Sequence, residues 1–178
     1  MKLKKVLITS LLVLQAGALT SCFEQKQSCE NPANVDGVKW YHVSDEKRAI
    51  YLEVYNTAVD KITNEVKEQD LQKGEWGIIL DIDETALDNS WTEYENYKHY
   101  KFNEESFKEA KATAVPGVKK LVDRVHQLGG YVSFVTNRTG SDKEIFDATV
   151  KNMQNEGVYY DQIVFSNAKD NNQYDKNP

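Results

Sequence analysis

The chain has little of what a metal or disulfide framework needs. It carries two cysteines and three histidines in 178 residues. His42, His99 and His126 are scattered, and no His/Cys metal spacing joins them. No internal repeat is present, and the longest apolar stretch, Val6 to Leu19, is too short to span a bilayer comfortably. Positive charge is also scarce, at 22 Lys and Arg against 28 Asp and Glu. Three of those lysines, Lys2, Lys4 and Lys5, open the chain, and without them the formal net charge moves from −6 to −9. An acidic body argues against a nucleic acid polymer as partner.

The basic start and the apolar run after it have the form of a secretory signal over residues 1–21. The run stops at Leu19-Thr20-Ser21-Cys22, which resembles a bacterial lipobox. That resemblance implies a lipidated Cys22 as first mature residue, and a chain anchored in the bacterial cell envelope, with the outer membrane as its expected place. Several lipid chains hold stably where one does not. Cys29 then has no internal partner. Residues 22–38 are polar and without periodicity, and read as a flexible lipidated tether. Residues 39–178 are enough for one domain with a real core.

In that domain, strand and helix patterns alternate. Ser44 is a plausible N-cap, with Asp45 and Glu46 in the first turn of a long helix. Ile50, Val54, Ala58, Ile62 and Val66 recur along it, widened by Tyr51, Tyr55 and Val59. Trp76 to Ile82 reads as a buried strand. Residues 90–112 form an aromatic excursion, with Trp91, Tyr94, Tyr97, Tyr100, Phe102 and Phe107, and a short helix near Glu104–Ala112. Pro116-Gly117 opens a second helix, stopped by Gly129-Gly130. Tyr131 to Val135 is a second strand, Ser141 with Glu144 fits a capping box for a third helix, and Gln162 to Phe165 is a third strand. The alternation predicts an α/β fold with a parallel sheet covered on both faces.

The first strand ends in Asp81-Ile82-Asp83, followed by Glu84-Thr85. Ligands of open α/β sheets bind at that carboxyl edge. Two like charges side by side call for a cation or a shared proton, and hard oxygen donors suit a hard metal ion. A carboxylate there can attack phosphorus, and a second can protonate the leaving oxygen and then activate water. An Asp-x-Asp in a solvated turn is the plain alternative, and the apolar strand before it weighs against that. Thr136-Asn137-Arg138 follows the second strand. A hydroxyl and adjacent N–H groups can hold phosphate oxygens there, and Arg138 can pair with phosphate or a substrate carboxylate. The plain alternative is a polar loop entering the next helix.

The stretch Ile79-Leu80-Asp81-Ile82-Asp83-Glu84-Thr85-Ala86-Leu87-Asp88-Asn89 resembles the first motif of the haloacid dehalogenase superfamily, and within it the class C, DDDD-type bacterial acid phosphatases, which are typically lipoproteins. Trp40-Tyr41 with Tyr51-Leu52 and Tyr55-Asn56 looks like that family's amino-terminal helix, and Ala114-Val115-Pro116-Gly117 with Val132 to Arg138 looks like its second motif and the helix before it. The resemblance implies a Rossmann-like core with a small aromatic-rich cap, a Mg²⁺ ion and hydrolysis of small phosphomonoesters, nucleoside monophosphates among the candidates. It makes Asp81 the nucleophile and Asp83 the acid/base, puts both on the metal (Asp83 through its carbonyl), and has Thr136 bind phosphate. The third motif's lysine is matched by Lys176, with Lys169 as alternative. The fourth motif, a strand followed by Gly-Asp-x-x-x-Asp, has no counterpart after Phe165, so a family member incomplete at its carboxyl end is expected. Family members often pair into dimers.

Three functions remain open at this point: an acid phosphatase working through an aspartyl-phosphate, a phosphotransferase of the same fold, and a catalytically impaired homologue serving as a non-enzymatic surface lipoprotein or binding module.

Overall fold

The computed structural model describes residues 32–92 and 104–166. Two helices come first, α1 (Pro32–Val43) and α2 (Asp45–Glu68). Ser44 between them is the N-cap its sequence position suggests, its hydroxyl accepting the Lys47 N–H at 3.2 Å. α1 is a departure from expectation, because the polar tether expected to reach residue 38 becomes helical at Pro32. Proline suits a first helical turn, where its missing N–H has no partner to lose. α2 is also rotated from its expected face. Ile50 and Val54 are exposed, whereas Lys47, Tyr55 and Val59 are buried and Tyr51, Ala58 and Ile62 pack against the core. Two apolar stripes share this helix, and the inward one carries hydroxyls able to reach main-chain carbonyls.

β1 (Gly77–Leu80), a short β2 (Leu87–Asp88), a 3₁₀ turn (Glu104–Glu109) and β3 (Thr113–Ala114) follow, then α3 (Val118–Gln127), β4 (Tyr131–Thr139), α4 (Lys143–Asn155) and β5 (Gln162–Ser166). β1, β4 and β5 form a parallel sheet in the order β1-β4-β5, and β2 pairs antiparallel with β3. Three boundaries differ from the sequence reading. β1 is shorter than Trp76–Ile82. β4 runs on to Thr139, so Thr136, Asn137 and Arg138 lie in the strand and not after it. The third helix is capped by Asp142, not Ser141, with the Asp142 carboxylate accepting the N–H groups of Glu144 at 2.9 Å and Ile145 at 3.3 Å. The caps compete locally, and a carboxylate reaches two donors at once where a hydroxyl serves one.

Both parallel crossovers, β1 to β4 and β4 to β5, step in the same direction across the sheet. Right-handed crossovers in one direction place their helices on one face. A single core results, in which Val132, Phe134, Ile163 and Phe165 of the sheet meet Val118, Leu121, Val122 and Val125 of α3 and Met153 of α4. Along β4 the other face alternates out of this core, and there Tyr131 is 55% and Val135 45% exposed, with Ile79 of β1 at 74%. Among the described residues, the helices therefore cover one face of the parallel sheet.

Most of the expected aromatic cap, Tyr94, Tyr97, Tyr100 and Phe102, lies outside the described residues, as do Cys22 and Lys176. Phe107 is buried in the 3₁₀ turn. No helix among the described residues is long and apolar enough to cross a membrane.

Candidate active site

β1 delivers Asp81 to the carboxyl edge of the sheet, and the chain then turns sharply. The N–H groups of Ala86 and Leu87 both reach the Ile82 carbonyl, at 2.7 and 2.9 Å, and the Glu84 N–H reaches the Leu87 carbonyl at 2.9 Å. Glu84 adopts a left-handed φ of 54°, a conformation that a non-glycine residue keeps only where its surroundings hold it. Two tyrosines of α2 do so. Tyr51 donates to the Glu84 carbonyl at 2.6 Å, and Tyr55 donates to the Thr85 carbonyl. Burial, with the neighbouring Tyr51 adding to it, pushes the Tyr55 hydroxyl up to about 12, so it remains a donor. Gly117, at φ 96°, makes room for Tyr55, since a Cβ at that position would lie 2.7 Å from the Tyr55 Cβ.

The turn sets Asp81 and Asp83 in different surroundings. Asp81 reaches solvent, and its Oδ1 accepts the Ile82 N–H at 2.7 Å. Desolvation by the surrounding protein pushes its carboxyl above the ordinary range. The Ile82 N–H opposes this shift, and the Asp83 charge adds to it. Asp83 is gripped instead. Its Oδ1 accepts Arg138 Nη2 at 2.7 Å, Arg138 Nε at 3.0 Å and Asn89 Nδ2 at 2.7 Å. Its Oδ2 has only longer approaches, from Arg138 Nε at 3.3 Å and Thr136 Oγ1 at 3.4 Å.

Arg138 is 1% exposed and spends every arm of its guanidinium inside the protein. Nη1 donates to Thr149 Oγ1 at 3.0 Å and Nη2 to Asn89 Oδ1 at 3.1 Å, and the group lies 3.8 Å from the centroid of the Phe107 ring. A shift of register between β4 and β5 at Thr136–Thr139 accompanies this inward aim. Bulges commonly redirect side chains beside active sites. Thr136 is also buried, its Oγ1 accepting the Arg138 N–H at 3.1 Å, while Asn137 is exposed.

Asp81, Asp83, Thr136 and Arg138 thus belong to one strand-edge cluster, as the sequence implied. Arg138, read from the sequence as a partner for phosphate or a substrate carboxylate, is paired with Asp83. Asn89 went unnoticed, although it lies inside the same motif. Lys47 and Asp88, an ion pair behind the turn, and the two tyrosines were missed as site residues because their function depends on a helix far away in sequence.

Two carboxylates face a single guanidinium here, and the surplus negative charge with hard oxygen donors suits a divalent cation. The Asp83 carboxylate is taken up by Arg138 and Asn89, and Glu84 Oε1 accepts from Asn89, which leaves the exposed Asp81 carboxylate as the open acidic donor, with the Asp83 main-chain carbonyl beside it as the donor that the family resemblance implies. Among the described residues, no cluster of three or more metal-binding side chains exists. The donor set fits an ion held loosely and completed by water and a bound anion.

Comparison with known proteins identifies the family of the fold. A family model described as HAD superfamily, subfamily IIIB (acid phosphatase) matches residues 10–177. The fold is similar to a crystal structure of the class C acid phosphatase from Bacillus anthracis, at 26% identity and a TM-score of 0.66 over 77% of this chain. It is also similar to the structure of that enzyme with tungstate bound, at 24% identity and a TM-score of 0.63 over 78% of this chain. The chain spans 59% of the length of those relatives. A comparison with curated proteins found no match. The chain belongs to the haloacid dehalogenase superfamily, subfamily IIIB, the acid phosphatases.

Proposed function

We propose that the chain is a Mg²⁺-dependent acid phosphatase acting on small phosphomonoesters through an aspartyl-phosphate. The observation that carries this reading is the division of labour at the strand edge, where one carboxylate is open to solvent and its neighbour two residues on is locked by five hydrogen bonds from four donor groups. An Asp81 carboxylate oxygen attacks phosphorus and the bond to the leaving oxygen breaks. Asp83, as the acid, gives that oxygen its proton. The resulting Asp83 carboxylate then takes a proton from water, whose oxygen attacks the phosphoaspartate, releasing phosphate and restoring Asp81. Thr136 holds a phosphate oxygen. When bound by the Asp81 carboxylate and the Asp83 carbonyl, Mg²⁺ supplies neutralisation of phosphate charge. The oxyanion tungstate in the Bacillus anthracis enzyme supports a tetrahedral-anion site in a relative of this fold.

The same proposal includes nucleoside monophosphates as candidate substrates, Lys176 as a further phosphate partner, and a lipid anchor on Cys22 that holds the chain to the cell envelope. Metabolic labelling with a fatty acid tests the anchor, and loss of label in Cys22→Ala is the expected result. The function is tested by release of phosphate from an aryl phosphate at mildly acidic pH, with and without Mg²⁺. Metal-dependent turnover supports it. A folded chain with no turnover contradicts it and favours the binding-module reading.

A further inference from the structure

We propose that Arg138 and Asn89 are positioning residues that select which oxygen of Asp83 serves the leaving group. The inference rests on the phosphatase reading above. Three donors converge on Asp83 Oδ1, at 2.7, 3.0 and 2.7 Å, whereas Oδ2 has only approaches of 3.3 and 3.4 Å. An oxygen saturated by N–H donors has no room for a proton of its own. The proton that Asp83 passes to the leaving oxygen therefore sits on Oδ2, on the side shared with Thr136.

Arg138 is unsuited to binding the phosphate directly. It is 1% exposed, and Asp83, Asn89, Thr149 and the Phe107 ring take up its guanidinium. Asn89 has the same bridging character. Its amide nitrogen holds Asp83 Oδ1 and its oxygen accepts from Arg138, so each of the three groups fixes the other two. A carboxylate pinned in this way has one rotamer and one loosely held oxygen, Oδ2, with approaches at 3.3 and 3.4 Å. Lysine lacks the planar fork that makes this grip, so Arg138→Lys is expected to restore only part of it.

The test separates positioning of the acid from phosphate binding. An alkyl phosphate needs a proton on its leaving oxygen, and an activated aryl phosphate scarcely does. In Arg138→Met, kcat should fall about 100-fold or more on the alkyl ester and about 10-fold or less on the aryl ester, in line with the worth of a positioned general acid. Asn89→Ala should shift the two esters in the same unequal way, and Arg138→Lys should recover part of the alkyl rate. Inhibition by tungstate should stay within about two-fold, since Arg138 is not a phosphate ligand. Equal losses on both esters, or tungstate inhibition weakening in step with kcat, overturns the inference.

A second readout is independent of turnover. The Arg138 Nε–H resonance should move in Asp83→Asn and stay in place in Asp81→Asn. If it ignores Asp83→Asn, the pair does not exist and the inference fails. A wild-type chain that cleaves neither ester overturns the functional reading instead, and this resonance then decides the pairing alone.

Discussion

Lys47 of α2 and Asp88, just past the Asp-x-Asp turn, form an ion pair at 2.5 Å across 41 residues of sequence. Their side chains are 7% and 15% exposed. Asp88 Oδ1 also accepts the Ser90 N–H at 2.9 Å, so the pair fixes the segment that carries Asn89 to Asp83. Breaking a buried pair from one side leaves an uncompensated charge and costs about 3 kcal/mol. Lys47→Met should lose about that much in urea denaturation, and should lose activity with it. Burial opposes ionisation of Asp88, and the hydrogen bonds from Lys47 and Ser90 overcome it, leaving the carboxyl below its ordinary range. Its contribution is therefore present above pH about 3.9 and is lost as pH falls through the depressed folded value. The gap between wild type and Lys47→Met should narrow in that acid window.

Asp81 has the opposite sign. Its carboxyl is raised, chiefly by desolvation, so ionisation destabilises the folded chain. That cost is fully present above the raised folded value and vanishes below about pH 3.9, where the group is protonated in both states. In metal-free buffer, Asp81→Asn should melt at a higher temperature than wild type at pH 7 and at the same temperature below that limit. A variant that melts lower at pH 7 contradicts this account of the strand edge.

The two faces of the sheet should respond differently to truncation. Phe134 is fully buried and meets the Tyr160 ring edge-on at 6.2 Å between centroids. Phe134→Ala should cost about 3–5 kcal/mol. Ile79 is 74% exposed, and Ile79→Ser should stay within about 0.5 kcal/mol. Comparable losses at both sites would mean that the second face is covered in solution.

Gly117 tests the support of the turn from behind. Gly117→Ala combines a left-handed φ with a clash at 2.7 Å from the Tyr55 Cβ. A loss of more than about 1 kcal/mol is expected, because alanine is strained at such a φ and Tyr55 must shift. Activity should fall further than in an exposed-surface control of equal stability, since Tyr55 holds the Thr85 carbonyl beside Asp83.

Much of this architecture was legible in the sequence, and the part that escaped has a physical reason. Apolar runs at Ile78–Leu80, Val132–Val135 and Ile163–Phe165 marked the three parallel strands, and Asp81 and Asp83 marked the edge where chemistry sits. Ser44 was readable as a cap because its signal is local. The start of α1 at Pro32 was not, because its apolar residues, Val35, Val38, Trp40 and Val43 among them, gather on no one helical face. The rotation of α2 escaped because two apolar stripes compete and only tertiary hydrogen bonds from Tyr51 and Tyr55 choose between them. Arg138 looked like an anion ligand because residue type reveals charge and not partner. Its burial against Asp83, Asn89 and Thr149 depends on three segments that meet only in the folded chain.

The central claim is covalent chemistry at Asp81, and the most direct measurement is capture of the phosphorylated chain. Wild type, Asp81→Asn and Asp83→Ala would each be mixed with a radiolabelled aryl phosphate and Mg²⁺, then quenched in acid. The account predicts label on wild type that hydroxylamine removes, more label on Asp83→Ala because water is no longer activated, and none on Asp81→Asn. Label that persists in Asp81→Asn, or release of phosphate with no labelled chain in Asp83→Ala, would contradict it.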